Sequence, residues 1–241
     1  MSDQEIVKHT KKAFGIWSNP NTPLWHKIKD FALEVFIIVF AVSLSIWFHN
    51  RAEHHNEQHQ VRTFLLGLRQ DIKGDITDVH EIQGFYRDYG VWYSYMSRFD
   101  KSIPPEPDSL KKALSMIAAS ASLAPHSSRF NGFLSAGKIL NIESDSLTQH
   151  ILSYYQEDLV AMKGSQEGWI NLHNQLRNYL SDNVKTFGDD KAAWEVLTTP
   201  KAKYLTTTLV PWQQLLDRYQ TVIDHGNLII AEINEMYPDA K

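Results

Sequence analysis

The stretch "FALEVFIIVFAVSLSIWF", Phe31 to Phe48, holds a single ionisable group, Glu34. As an α-helix at about 1.5 Å per residue it would reach about 27 Å, close to the hydrocarbon thickness of a bilayer. A helix buried in a soluble core needs polar positions at helical spacing, and Phe36 to Val42 supply none. Trp25 precedes the run and Trp47 closes it, where an aromatic belt would place them. Only "HNRAEHHNEQH" follows, with nothing resembling an A-x-A cleavage site, so an uncleaved signal anchor is expected. Thr22 as N-cap and Pro23 as first helical residue set its start. The chain then divides into a cytoplasmic tail (1–22), a transmembrane helix (23–49) and an extracytoplasmic domain (50–241).

Orientation rests on the basic residues at the two ends. Lys11, Lys12, Lys27 and Lys29 precede the run, against Arg51 and Arg62 after it. By the positive-inside rule the N-terminus is cytoplasmic and the C-terminal part lies outside the bacterial inner membrane, in the periplasm. Glu34 falls in the first turn of the span. There a carboxylate can snorkel to the interface and meets the positive end of the helix dipole, which is the favoured reading. The rival is an intramembrane carboxylate that pairs with a second helix or carries protons. Ser43 and Ser45, further along, could face such a neighbour.

No turn signal interrupts the chain after Phe48, so the helix is expected to continue. Val61, Leu65, Leu68, Ile72, Ile76, Val79, Ile82, Tyr86, Tyr93 and Met96 recur mostly every three or four residues, as on one helical face. "SIPPEPDS" ends that pattern, because prolines cannot continue a helix. Short helices are expected from Asp108 or Ser109 to about Ser120, and from Ser127 or Ser128 to Ala136 with Gly137 as its C′ residue. Residues 143–184 read as one long helix with Leu152, Tyr155, Leu159, Met162, Trp169, Leu172, Leu176 and Leu180 on one face. Gln166 and His173 continue that seam as buried polar groups. A short helix surrounds Trp194, and Pro200 or Pro211 opens the last one, lined by Leu215, Tyr219, Val222, Ile223, Ile229, Ile230, Ile233 and Met236. Strand-like alternation is absent. The expected fold is all-α: one transmembrane helix continuing into an antiparallel helical bundle outside the cell membrane.

The 241 residues are 43% hydrophobic and 12% aromatic, with seven Trp, the composition of a packed protein. The formal net charge is −4, and from Arg51 onward 19 Lys and Arg face 24 Asp and Glu. An acidic chain without a basic stripe excludes a nucleic-acid backbone as partner. With no cysteine there are no disulfides, thiolate metal sites or cysteine nucleophiles.

The span with Glu one turn in, "LRQDIKGDI" (Leu68 to Ile76) and "RFNGFLSAGKILNIESDSLTQHILSYY" (Arg129 to Tyr155) together resemble a family of single-span bacterial membrane proteins of unknown function. That family's pattern includes N-N-W-N-E after the span and a later S-G-K-L block before Y-Y. Here "HNRAEHH" stands at the first place, and Ala136 separates Ser135 from Gly137 at the second. The resemblance implies a topology and carries no catalytic residue with it.

Among chemical candidates, His49, His54, His55 and His59 cluster after the span, and the His55–His59 spacing suits chelation on a helix. A solvated helix surface accounts for them as well. "SAGK" (Ser135 to Lys138) lacks the upstream glycine and strand of a phosphate loop and reads as a helix terminus. Tyr154 and Tyr155 are expected as one core and one surface ring. Neither G-x-S-x-G nor H-E-x-x-H occurs. No cofactor and no catalysis are expected. The leading expectation is a membrane-anchored interaction protein with the bilayer, further copies of itself or other membrane proteins as partners. A small-ligand sensor without its own output, and a stator-like small subunit working through Glu34, are the alternatives.

Overall fold

The computed structural model describes residues 24–186 and 188–239, and its regular structure is helical. Among the described residues there is no strand, only an isolated bridge between Asp100 and Ile103. The elements are α1 (Leu24–Met96), α2 (Pro107–Ala118), α3 (Ser128–Ser135), a 3₁₀ turn (Lys138–Asn141) and α4 (Asp145–Ser153). A π turn (Tyr154–Asp158), α5 (Leu159–Asn183), α6 (Asp190–Leu197), α7 (Pro200–Thr208) and α8 (Gln213–Met236) follow. The cap expected at Thr22 and Pro23 lies outside the described residues, as does the tail 1–22.

The chain forms two compact units, one ending at Gln60 and the other beginning at Val61. In the first, α1 is long and apolar enough to cross a membrane, and only 6% of its most apolar window is buried. Leu33, Phe36, Val39, Phe40 and Trp47 are all exposed.

The second unit is built on one hydrophobic core. From α1 it takes Val61, Leu65, Leu68, Ile72, Val79, Tyr86, Tyr93 and Met96, the positions that the three-and-four spacing marks. From α8 it takes Leu215, Tyr219, Val222, Ile223, Ile229 and Ile233. These two helices run antiparallel. Arg69 Nη1 donates to Asn234 Oδ1 (2.7 Å) near one end, and Gln83 Nε2 donates to the Leu216 carbonyl (3.3 Å) near the other. Between these contacts Gly226 lets α8 approach closely. A Cβ there would stand 3.0 Å from Ile72 Cγ2 and 3.1 Å from Ile76 Cδ1. Helix α5 packs against α2, α6, α7 and α8.

Local signals account for the helix limits. The Glu106 carboxylate accepts the Ser109 N–H (2.9 Å) with Pro107 in the first turn, so α2 starts earlier than the Asp108 or Ser109 cap expected. The chain leaves α3 through Gly137 at φ 70°, a left-handed conformation that suits glycine. Both candidate prolines are used. Pro200 opens α7 behind the Thr199 cap, and Pro211 precedes Trp212, the N-cap of α8.

One expectation is corrected. Tyr154 and Tyr155 are both buried. The reason is the π turn, in which the Leu159 N–H donates to the Tyr154 carbonyl five residues back. The extra residue in that turn lets two successive side chains face inward.

The Gly226 contact yields a test. Gly226→Leu overfills the α1–α8 interface and should lower unfolding stability by about 1–3 kcal/mol in chemical denaturation. Combining it with Ile76→Ala should restore part of the loss. An unchanged midpoint for Gly226→Leu would contradict the close packing.

Candidate functional site

Along its core stripe α1 carries three polar residues, Arg69, Asp75 and Gln83, all buried. Asp75 lies three residues after Ile72 and four before Val79, so the helical period turns it inward. Its Oδ1 accepts the backbone N–H of His126 (2.8 Å) and stands 2.7 Å from His126 Nδ1. Its Oδ2 is buried without a partner. The His126 side chain is 55% exposed, against 0% for Asp75. Burial pushes the Asp75 carboxyl above the usual carboxylate range, against the pull of the two His126 hydrogen bonds. The Asp75 hydrogen bond and charge in turn hold His126 above the ordinary histidine value. The result is an imidazole with one nitrogen fixed by a carboxylate, which holds its proton more tightly than a free histidine does.

Two further histidine–carboxylate pairs flank the π turn. His150 Nδ1 of α4 lies 3.0 Å from Glu232 Oε1 of α8, and His225 Nδ1 of α8 lies 2.5 Å from Asp158 Oδ2 of the π turn. Each segment thus offers the other one imidazole and one carboxylate. The two rings meet edge to face at 5.4 Å. Tyr154 stands edge-on to His225 at 6.2 Å, its buried hydroxyl without a partner. Burial, joined by the charge of Asp75, drives that hydroxyl far above the ordinary tyrosine range. Single π turns inside α-helices occur frequently at functional sites.

Gln166 and His173 of α5 are both buried. Gln166 Oε1 accepts both the Tyr219 hydroxyl (2.9 Å) and the Leu123 N–H (3.1 Å). His173 stacks on Trp169 at 5.1 Å, beside Tyr89 and Tyr93, with both ring nitrogens buried. Burial, assisted by the Arg177 charge, lowers its pKa from 6.5 to about 4. The seam is therefore a core feature, with His173 neutral.

The other sequence candidates lie apart from this cluster. Glu34 is 6% exposed, whereas Leu33 on one side is 59% exposed and Val35 on the other 40%. Ser43, Ser45, His55 and His59 are exposed on α1. Among the described residues no three His, Asp or Glu side chains are grouped to hold a metal ion. Ser135 to Lys138 join α3 to the 3₁₀ turn.

A groove of about 520 Å³ opens between α2, α5 and the start of α6. Leu114, Ile117, Leu180, Val184 and Ala193 give it apolar walls, with Arg177, Asp189 and Asp190 at its side. Comparison of the chain with protein-family models, curated proteins and solved structures gave no match.

Sequence reading missed the three histidine–carboxylate pairs. Asp75 was detectable as a charged residue in phase with the apolar stripe. His126, in an irregular segment, gave no signal.

The depressed His173 pKa has a consequence for stability. The unfolded chain binds a proton at this residue below pH 6.5, and the folded chain only near 4, so stability is lost as pH falls through that window. The loss should reach about 3 kcal/mol at the acid end. His173→Phe should flatten this limb of the stability–pH curve; equal slopes in variant and wild type would show that His173 is not held neutral.

Proposed function

We propose that this chain is a single-pass inner-membrane protein whose C-terminal part is a periplasmic antiparallel helical bundle. It acts by association, as a homo-oligomer or as an accessory subunit of an envelope complex, and not by catalysis. The observation that carries this reading is the exposure of the apolar stretch of α1. All but one of eighteen residues, Glu34 being the exception, are not buried, and apolar surface of that extent requires lipid or protein around it. The lysine excess before the run supports a cytoplasmic N-terminus.

Three results are expected. The protein resists carbonate extraction from membranes, and a C-terminal alkaline phosphatase fusion is active. Chemical crosslinking in intact membranes yields species larger than the 27.8 kDa monomer. Extraction as a soluble protein, or a silent fusion, would overturn the topology; a monomer at every crosslinker concentration would overturn association.

The groove supports a second reading, small-ligand binding. Its volume is in the range of ligand sites. Arg177 lines it together with Asp189 and Asp190, so the groove offers both signs of charge around its apolar walls and an amphiphile held by its apolar part is the chemistry that fits. A photoreactive medium-chain alcohol should label peptides from α2 or α5 in nanodisc-reconstituted protein, and Leu180→Asp should reduce labelling at least threefold. Labelling elsewhere, or labelling indifferent to Leu180, would remove this reading.

A further inference from the structure

Residues 119–127, between α2 and α3, have no regular secondary structure, yet buried side chains from three other elements hold them down. Gln166 of α5 accepts the Leu123 N–H at 3.1 Å. Asp75 of α1 accepts the His126 N–H at 2.8 Å and faces its Nδ1 at 2.7 Å. Tyr155 of the π turn donates its hydroxyl to the His126 carbonyl at 3.4 Å. Leu123 and the Tyr155 ring are buried beneath the segment, while the His126 ring reaches solvent. The segment is thus a strap, and its most polar anchor is a carboxylate with no exposed surface.

We propose that residues 119–127 form a pH-gated strap, closed while His126 carries its proton and released as that proton is lost. With His126 charged, Asp75 has a countercharge in contact. Once His126 is neutral, Asp75 remains ionised in the core with one oxygen already unpartnered. Neutral His126 can still hydrogen-bond Asp75, but the countercharge is gone; above the pair's own titration protons are too scarce to neutralise the carboxylate, and detaching the strap relieves it by admitting water. Release would expose Asp75, Gln166 and Tyr155 together. The surrounding charges favour this order of events. Asp71 and Asp78 on α1 both reinforce the protonated form of His126. Arg129 of α3, the nearby cation, is engaged with Asp71, its Nε donating to Oδ2 at 2.8 Å. Tyr154 and Tyr155 of the π turn stay neutral, since burial drives both hydroxyls far up. The raised tendencies of His126 and Asp75 act in the same sense. The folded pair holds its proton more tightly than the unfolded chain, so closure is complete at acid pH and fades as pH rises through the pair's own titration.

The test is hydrogen exchange of the full chain in nanodiscs at pH 6.0 and 8.5, corrected for intrinsic exchange, with α8 amides as internal reference. Protection at Leu123 and His126 should fall at least tenfold relative to α8 at the higher pH. In Asp75→Asn the carboxylate is gone, and the pH difference should disappear. Equal protection of the strap at both pH values in the wild type, or an undiminished pH difference in Asp75→Asn, would overturn the proposal. If Asp75→Asn loses α8 protection and has therefore not folded, His126→Asn replaces it. That strap should then exchange equally fast at both pH values, and a remaining pH dependence would count against the gate.

Discussion

Trp169 is the contact on which the second unit is assembled. Tyr86, Tyr89 and Tyr93 of α1 meet its ring at 4.9, 4.8 and 5.9 Å, and His173 stacks on it from within α5. Its Nε1–H donates to the carbonyl of Leu209, the residue that ends α7, at 2.9 Å. One side chain therefore ties three helices together with its only donor satisfied. The arrangement leaves the Tyr93 hydroxyl buried without a partner. Leaving such a group unpaired costs about 1–3 kcal/mol. Each ring buries about 150–250 Å², worth about 4–6 kcal/mol at about 25 cal/mol per Å². Ring burial outweighs the orphaned hydroxyl, and burial pushes the Tyr86 hydroxyl up to about 12 and Tyr93 further.

Polar groups in this core carry positional information that apolar contacts lack. Leucine and isoleucine tolerate sliding by a fraction of a turn, whereas the Arg69–Asn234 and Gln83–Leu216 hydrogen bonds are made at one offset of α1 against α8. Gln166 acts the same way at the centre, where its single oxygen serves both the Tyr219 hydroxyl and the Leu123 amide. Hydrogen bonds of this kind add about 0.5–1.5 kcal/mol each when made, and breaking one partner leaves a larger penalty than that gain. They act chiefly against wrong alignments.

How much of this was legible depended on period. The stripe from Val61 to Met96 and the α5 seam were readable because a helix that buries one face must repeat every three or four residues. The same rule caught Gln166 and His173, polar residues in phase with apolar ones. Asp75 obeys it equally, but reading only apolar letters passes over a charge. His126 was illegible for a different reason: its partner lies 51 residues away, beyond the end of α1 and the whole of α2, and no local rule links an irregular segment to a helix face. The exposed apolar stretch of α1 was legible from composition alone, because nothing in its own pattern offers a side for a protein core to cover.

The π turn sets a phase relation along one continuous helical path. One series of buried residues runs into it at Leu147, Ile151 and Tyr154; a second runs out of it at Tyr155, Leu159, Met162, Gln166, Trp169, His173 and Leu176. Both series step by four and three, but they are out of frame by one residue, and the jump sits between the two adjacent tyrosines. An uninterrupted α-helix would turn one series about 100° away from the core whenever the other faced it, since 3.6 residues make a turn. The wide turn is therefore a frameshift in space. Deleting any one residue from Tyr154–Asp158 would restore ordinary helix geometry and, by doing so, bring α4 and α5 into a common frame that this core, with its doubled tyrosine position, is not shaped to receive.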